Sequence, residues 1–333
     1  MPRPELLSLA QRAALMAPAS DLNECIRYYT LSANDLHLIR QHRGVHNQLG
    51  FAVQLCYLRF PGRTLGVEEV PPPEIVGFVA AQLGLSVSAW SEYAKRDQTR
   101  REHLQELQRH SGLRLLTVAD YCSLATWVTA LAMQTSKGIV LVEGAVEEMR
   151  RRRLLLPPIT VIERMCAEAT TRARRRIYRT LTELLTERQR GDLDALLEAP
   201  PSGKASKFAW LRQPAGVPSP RNLLGLIERL NVIREIKLPT KMGQAIHQNR
   251  LLQLSREGAQ SDAPHLRQLE PLRRHATLVV ILLETAATLT DGLRAGQSPR
   301  QPIVESRCDA PSCPPKDGGQ LDKSANCKRV RPR

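Results

Sequence analysis

Residues 161–186 leave the backbone little choice. Ile162, Met165, Ala169, Ile177, Leu181 and Leu184 recur at intervals that put them along one side of an α-helix. Arg172, Arg175 and Arg179 recur at three and four and therefore share a face of their own. A strand, alternating every second residue, would scatter both sets across its two surfaces. The same logic runs through most of the chain. Ser32-Ala33-Asn34-Asp35 sets an N-cap with an acid at the third helical position, ahead of Leu36, Leu38 and Ile39. Gln48 to Leu58 carries Leu49, Val53, Cys56 and Tyr57 at helical spacing and stops at Phe60-Pro61-Gly62. Pro71-Pro72-Pro73 opens a helix with Ile75, Val76, Val79 and Leu83 on one face. Gly84 closes it, and Ser86 caps a short helix containing Trp90 and Tyr93. Helix, glycine turn and helix is the outline of a helix-turn-helix. Further helices are expected over about 97–110, 118–133, 138–153, 220–237, 242–254 and 264–293, with no convincing strand pattern and no internal repeat.

The expected fold is all-α. Hydrophobic residues make up 42% of the chain but aromatics only 4%, so the cores must be built from Leu, Ala, Val and Ile, a mixture that favours helix. A length of 333 residues exceeds what one core usually holds. Two stretches read as linkers by composition, Pro200–Lys207 and Pro214–Pro220. The expected organisation is two or three small helical domains: 1–112, 113–199 with the Arg-rich long helix, and 200–293. A tail over 294–333 has no apolar period and is expected to be disordered.

Lys and Arg number 48 against 33 acids, a net charge of +15. A surplus this large speaks to partners, and a nucleic acid fits it better than an acidic membrane surface. Of the seven cysteines, Cys25, Cys56, Cys122 and Cys166 sit in apolar or helical context and read as small buried hydrophobes of a reducing compartment. Cys308, Cys313 and Cys327 are irregularly spaced and lack a fourth ligand, which argues against zinc. Gln11 and Arg12 interrupt the N-terminal apolar residues and make a poor signal peptide. Apolar runs such as Leu278 to Leu283 fall short of a membrane span. A soluble, intracellular protein is the expectation. Phosphate-loop, Gly-x-Gly-x-x-Gly and His-Glu-x-x-His patterns are missing.

Four basic clusters could carry nucleic-acid binding. Arg40, His42, Arg43, His46, Asn47 and Gln48 crowd a loop and a helix start, with Arg59 and Arg63 following. Exposed helix N-termini bind phosphate, and Asn, Gln and Arg can pair with base edges. The plainer reading is that His46 and Asn47 only cap the helix beginning near Gln48. Lys95, Arg96, Thr99, Arg100, Arg101 and His103 form the second cluster, in which Arg96, Arg100 and His103 face one way at helical spacing. The third runs from Glu148 to Arg179, with ten arginines and three glutamates. It includes Arg172, Arg175 and Arg179, and can supply phosphate affinity but no sequence choice. The fourth joins Lys204, Lys207, Trp210 and Arg212 to His247, Asn249 and Arg250. There a Trp flanked by cations could stack on a nucleotide, though such a Trp more often anchors a linker to a core.

Longer blocks carry a resemblance. Tyr28-Tyr29-Thr30-Leu31-Ser32 is followed by Arg43 through Arg63, and then by Arg96-Asp97-Gln98-Thr99-Arg100-Arg101-Glu102-His103-Leu104. Later blocks are 137–143, 151–157, 209–214, 247–251 and 276–291. In this order they resemble the N-terminal part of the Tn-three family of bacterial transposases. That resemblance implies sequence-specific binding to the terminal inverted repeats of a transposon, as double-stranded DNA, by a set of helical modules. It also implies that the family's ribonuclease-H-like catalytic domain, with its metal-binding carboxylates, would lie beyond Asp291. No cofactor is therefore expected here, magnesium being needed only by that later part, and this chain is not expected to be catalytic by itself. The alternatives are a regulatory fragment that occupies transposon ends and inhibits an intact transposase, its second possible partner, or an inactive remnant.

Overall fold

A computed structural model of the chain describes residues 6–66, 68–93, 97–198, 205–214, 216, 219–239 and 242–297. Among these the fold is all-α, with no strand and a single isolated bridge between Arg114 and Leu154. The helices are α1 Leu9–Met16, α2 Leu22–Tyr29, α3 Ala33–Arg40, α4 Val45–Arg59, α5 Pro73–Leu83, α6 Asp97–Ser111, α7 Val118–Ala132 and α8 Gly138–Arg151. They continue with α9 Ile159–Thr182, α10 Glu187–Ala195, α11 Lys207–Leu211, α12 Pro220–Glu235, α13 Gln248–Ala259, α14 Ala263–Gln268 and α15 Pro271–Gln297. Local chemistry starts most of them. Ser8, Ser32, Thr117 and Thr186 form reciprocal capping boxes with Gln11, Asp35, Asp120 and Gln189, each satisfying otherwise orphaned amides of the first turn.

Side chains gather into three apolar cores. The first is built on α4, whose residues 49–58 are all buried, wrapped by α2, α3, α5 and α6. The second collects α7, α8 and the first half of α9, with Leu7 reaching in from the N-terminus. The third takes the end of α9, from Ile177 onward, with α10 to α15. α9 thus runs through two cores, packing on α7 at one end and α15 at the other. Residues 153–156 tie the first two cores together. The Leu155 amide donates to Arg114 O at 2.9 Å, the Leu156 amide to Gly62 O at 2.9 Å, and Arg150 Nη2 to Pro61 O at 2.8 Å.

The helix expected after Gly84 is instead a 3-10 segment, Val87–Glu92, lying on α4. Gly84 does adopt the left-handed conformation that ends α5, at φ 66°. The outline therefore lacks a full second helix. α9 stops at Thr182, four residues before the expected end. The Thr182 hydroxyl donates back to Tyr178 O at 2.8 Å and Thr186 opens α10, so Leu184 is exposed and Leu185 is buried in its place. The helix expected from 242 begins at Gln248, capped by His247, whose Nδ1 accepts from the Asn249 amide at 3.2 Å. The helix expected over 264–293 is two, because Pro271 disfavours helical backbone at the residue before it. α15 is apolar over 271–294 and long enough by composition to cross a bilayer, longer than the apolar runs suggest. Here α9, α12 and α13 pack against it. Cys25, Cys56 and Cys166 are buried as expected, but Cys122 is exposed. Cys308, Cys313, Cys327 and the tail from 298 lie outside the described residues.

Candidate nucleic-acid interface

The arginines of the first core point at partners within the chain. Asp35 on α3 is buried, and Arg59 at the end of α4 donates to its Oδ1 at 2.5 Å and to Thr30 O at 3.2 Å. Burial pushes the Asp35 carboxyl up, but the bonds from Arg59 and Ser32 outweigh it and hold the group below its ordinary range. Arg63 makes a two-pronged pair with Glu69, at 2.6 Å on each oxygen, donates to Met16 O at 3.1 Å and lies over the Tyr57 ring. That pairing keeps the Glu69 carboxyl low. Arg100 donates to Leu65 O. Lys95 and Arg96 lie outside the described residues.

The shared face of α6 is real, but it is the face toward the core. His103 is 5% exposed and packs edge-on against His42 and Phe51, with Tyr93 Oη 3.2 Å from its Nδ1. Burial, with His42 beside it, pushes the His103 pKa down to about 4, so the ring is neutral at pH 7. Spacing could group Arg100 with His103 but could not say which way that group turns. Thr99 is half-buried, whereas Arg101 faces solvent. His42 also lies 3.6 Å from Glu106, so the α3–α4 loop is seated on α6 and the first two basic clusters become neighbours. On that loop Arg40 and Arg43 are exposed. Gly44, at φ 84°, takes the N-cap expected of His46 or Asn47. Asn47 Nδ2 donates to Arg43 O and Gln48 Nε2 to His42 O, both at 2.9 Å, which braces the loop. His46 is half-buried beside Gly44.

α9 is different. Arg164, Arg172, Arg174, Arg175, Arg176 and Arg179 are all exposed. Arg172 lies 3.9 Å from Glu168, a loose surface pair. The apolar side, Ile162, Met165, Ala169, Ala173, Ile177 and Leu181, is buried in the second and third cores. The buried side fixes the helix, and most of its arginines are left on the exposed side. Arg174 and Arg176 were countable in the sequence as part of the Arg-rich run, although the three-and-four spacing singled out only Arg172, Arg175 and Arg179. Upstream, Arg151 and Arg152 are spent on Glu148, both at 2.7 Å, and hold its pKa down to about 2.

In the third core Lys207 and Asn249 are exposed. Arg212 instead donates to Ser261 O at 2.9 Å and to Ala259 O, occupying carbonyls at the end of α13, and lies over the Phe208 ring. Trp210 is half-buried against this core, the anchoring role. Arg250 is 5% exposed and faces Arg174 across a narrow cleft between α9 and α13. Among the described residues no three His, Cys, Asp or Glu side chains are placed to hold a metal ion.

Residues 6–169 match a domain family of unknown function, DUF4158. The matched segment ends inside α9, within the second core. The chain is 48% identical over 291 residues to the transposase for transposon Tn21 of Escherichia coli, covering 87% of this chain and 30% of that protein. It is 44% identical over 293 residues to the transposase for transposon Tn501 of Pseudomonas aeruginosa, covering 88% and 30%. Identity falls to 26% over 272 residues for the transposase for transposon gamma-delta of Escherichia coli, 80% of this chain and 27% of that protein. The chain thus spans under a third of the length of these relatives, matching their N-terminal third.

Proposed function

Because the chain belongs to the Tn-three family of transposases and matches their N-terminal third, we propose that it binds the terminal inverted repeats of a transposon as duplex DNA. The observation that carries this reading is the exposed arginine face of α9, packed on its apolar side and solvated on the other. Duplex DNA bears a charge about every 1.7 Å, and each phosphate neutralised releases counterions. A rigid helix with arginines at successive turns suits that lattice and needs no rearrangement to meet it. Sequence preference requires groups that reach base edges. Arg40 and Arg43, on a loop braced by Asn47 and Gln48, are the best-presented candidates, with Arg101 on the neighbouring α6. An Arg fork pairs with guanine in the major groove. Lys207 and Asn249 are exposed candidates of the third core.

In this proposal the three cores are the modules laid along the duplex, and α9 rigidly couples the second to the third. Retardation of a duplex carrying the transposon end, compared with a scrambled duplex, tests the reading. The end duplex is expected to bind tighter, and its affinity to fall steeply between about 50 and 200 mM salt. Equal affinity for both would remove end recognition. Affinity insensitive to salt would remove the arginine face as its source.

A further inference from the structure

The cleft between α9 and α13 holds an unbalanced pair of charges. It is lined by Arg174, Tyr178, Arg250, Gln253 and Glu257, with Ile177 and Leu254 as its floor. Arg250 is nine-tenths buried, and its Nε lacks a hydrogen-bond partner. Its Nη1 donates to Gln253 Oε1 at 2.5 Å, and Gln253 Nε2 donates onward to Glu257 Oε1 at 2.7 Å. The nearest acid is therefore reached through a neutral amide and does not touch the guanidinium. Arg174 on α9 stands close enough to repel it, and burial and that repulsion both work against the Arg250 charge. Burying a cation without a direct counter-ion is costly unless something else neutralises it.

The space left between these groups is about 10 Å³, roughly one water-sized atom. A whole phosphate does not fit, but one non-bridging oxygen of a backbone phosphate does. We infer that this cleft is the seat of a single DNA phosphate, whose oxygen enters to meet the guanidinium of Arg250 while Arg174 closes over it from α9. This rests on the DNA-binding reading and adds to it a fixed point. The exposed arginines of α9 can slide along the lattice of phosphates, whereas a buried guanidinium accepts one phosphate at one depth and so sets the register. Arg174 lies on the same helix as the solvated row, so the seat is contiguous with the proposed track.

The test uses the full chain, its Arg174→Gln, Arg250→Gln and double variants, a duplex carrying the transposon end, and sodium phosphate. Each single variant is expected to weaken duplex binding and to lower the slope of log affinity against log salt by about 0.9. The double variant should lose no more slope than either single one, because both arginines hold one phosphate. Additive slope losses would mean two separate phosphates and overturn the single seat. Variants that keep the parent slope would overturn it too, leaving a cleft that holds only water while DNA binding stands. Arg174→Gln alters an exposed side chain, so it stays decisive if Arg250→Gln fails to fold. If the parent chain binds no duplex, the DNA reading falls, and thermal melting in phosphate against chloride at equal ionic strength decides the cleft. A rise seen in the parent and lost in Arg174→Gln would keep it as a seat for a free anion. No rise would end it.

Discussion

Arg59, Arg63 and Arg100 of the first core and Arg172, Arg175 and Arg179 of α9 have the same chemistry and opposite fates. The first three terminate on Asp35, on Glu69 and on the Leu65 carbonyl. The second three are exposed, with only a loose surface pair from Arg172 to Glu168. The difference comes from what each helix must bury. α4 is buried over 49–58, so the basic residue at its end borders a core that already contains an acid. α9 buries one stripe, and the opposite face is spared. The lesson is that density of arginine leaves cations exposed only where the fold supplies few internal acceptors.

That contrast can be broken in four ways. The largest effect is expected from Arg59→Ala, which strands the Asp35 carboxylate in the first core. About 3 kcal/mol of stability should be lost, measured by urea denaturation, and Arg59→Ala in an Asp35→Asn background should cost much less. A loss equal in both backgrounds would mean that the ion pair contributes little.

Acid should come next. His103 has a folded pKa near 4, below the usual 6.5 of an exposed imidazole. Between those values the unfolded chain binds the extra proton. Its contribution to stability is therefore complete above about pH 6.5, declines as pH falls, and is gone below about pH 4. The full swing is about 3 kcal/mol. His103→Gln should flatten the stability–pH curve in that window. A curve of unchanged slope would place the acid sensitivity elsewhere.

A smaller loss, about 1 kcal/mol, is expected from Arg212→Ala, which removes the donor from the Ala259 and Ser261 carbonyls on a half-exposed site. Faster amide exchange at the end of α13 would accompany it, and protection equal to the parent would refute the capping role. The smallest stability change belongs to the triple variant of Arg172, Arg175 and Arg179 to Gln, at most about 0.5 kcal/mol for such surface changes. The same variant should show a large fall in duplex affinity and a salt slope reduced by up to about 2.7. A variant that loses stability but keeps its affinity would reverse the assignment of roles.

Much of the helical content was legible from short-range signals. The capping boxes at Ser32 and Thr117, the proline start of α5 and the glycine stop at Gly84 all act within one turn. The errors arose where a local pattern admitted two outcomes. Thr182 and Thr186 could continue a helix or end one, and Pro271 could sit inside a long apolar run or begin a new helix. The candidate interface was legible as composition and as family likeness, less so as individual side chains. Arg63, His103 and Arg212 lie in basic clusters, yet each is held by groups brought to it by the fold.

The sequence by itself determined an all-helical chain, a net charge of +15 and a face of arginines along α9. Each of these follows from residues a few positions apart, where backbone geometry alone sets which side chains are neighbours. Only the tertiary structure decided which cations are consumed inside and which remain for a partner. Arg12 meets Glu163, Arg150 meets Pro61, and Arg174 faces Arg250 across elements far apart in the chain. Whether a guanidinium is spent or available is a property of the packed cores around it, and no local period encodes that.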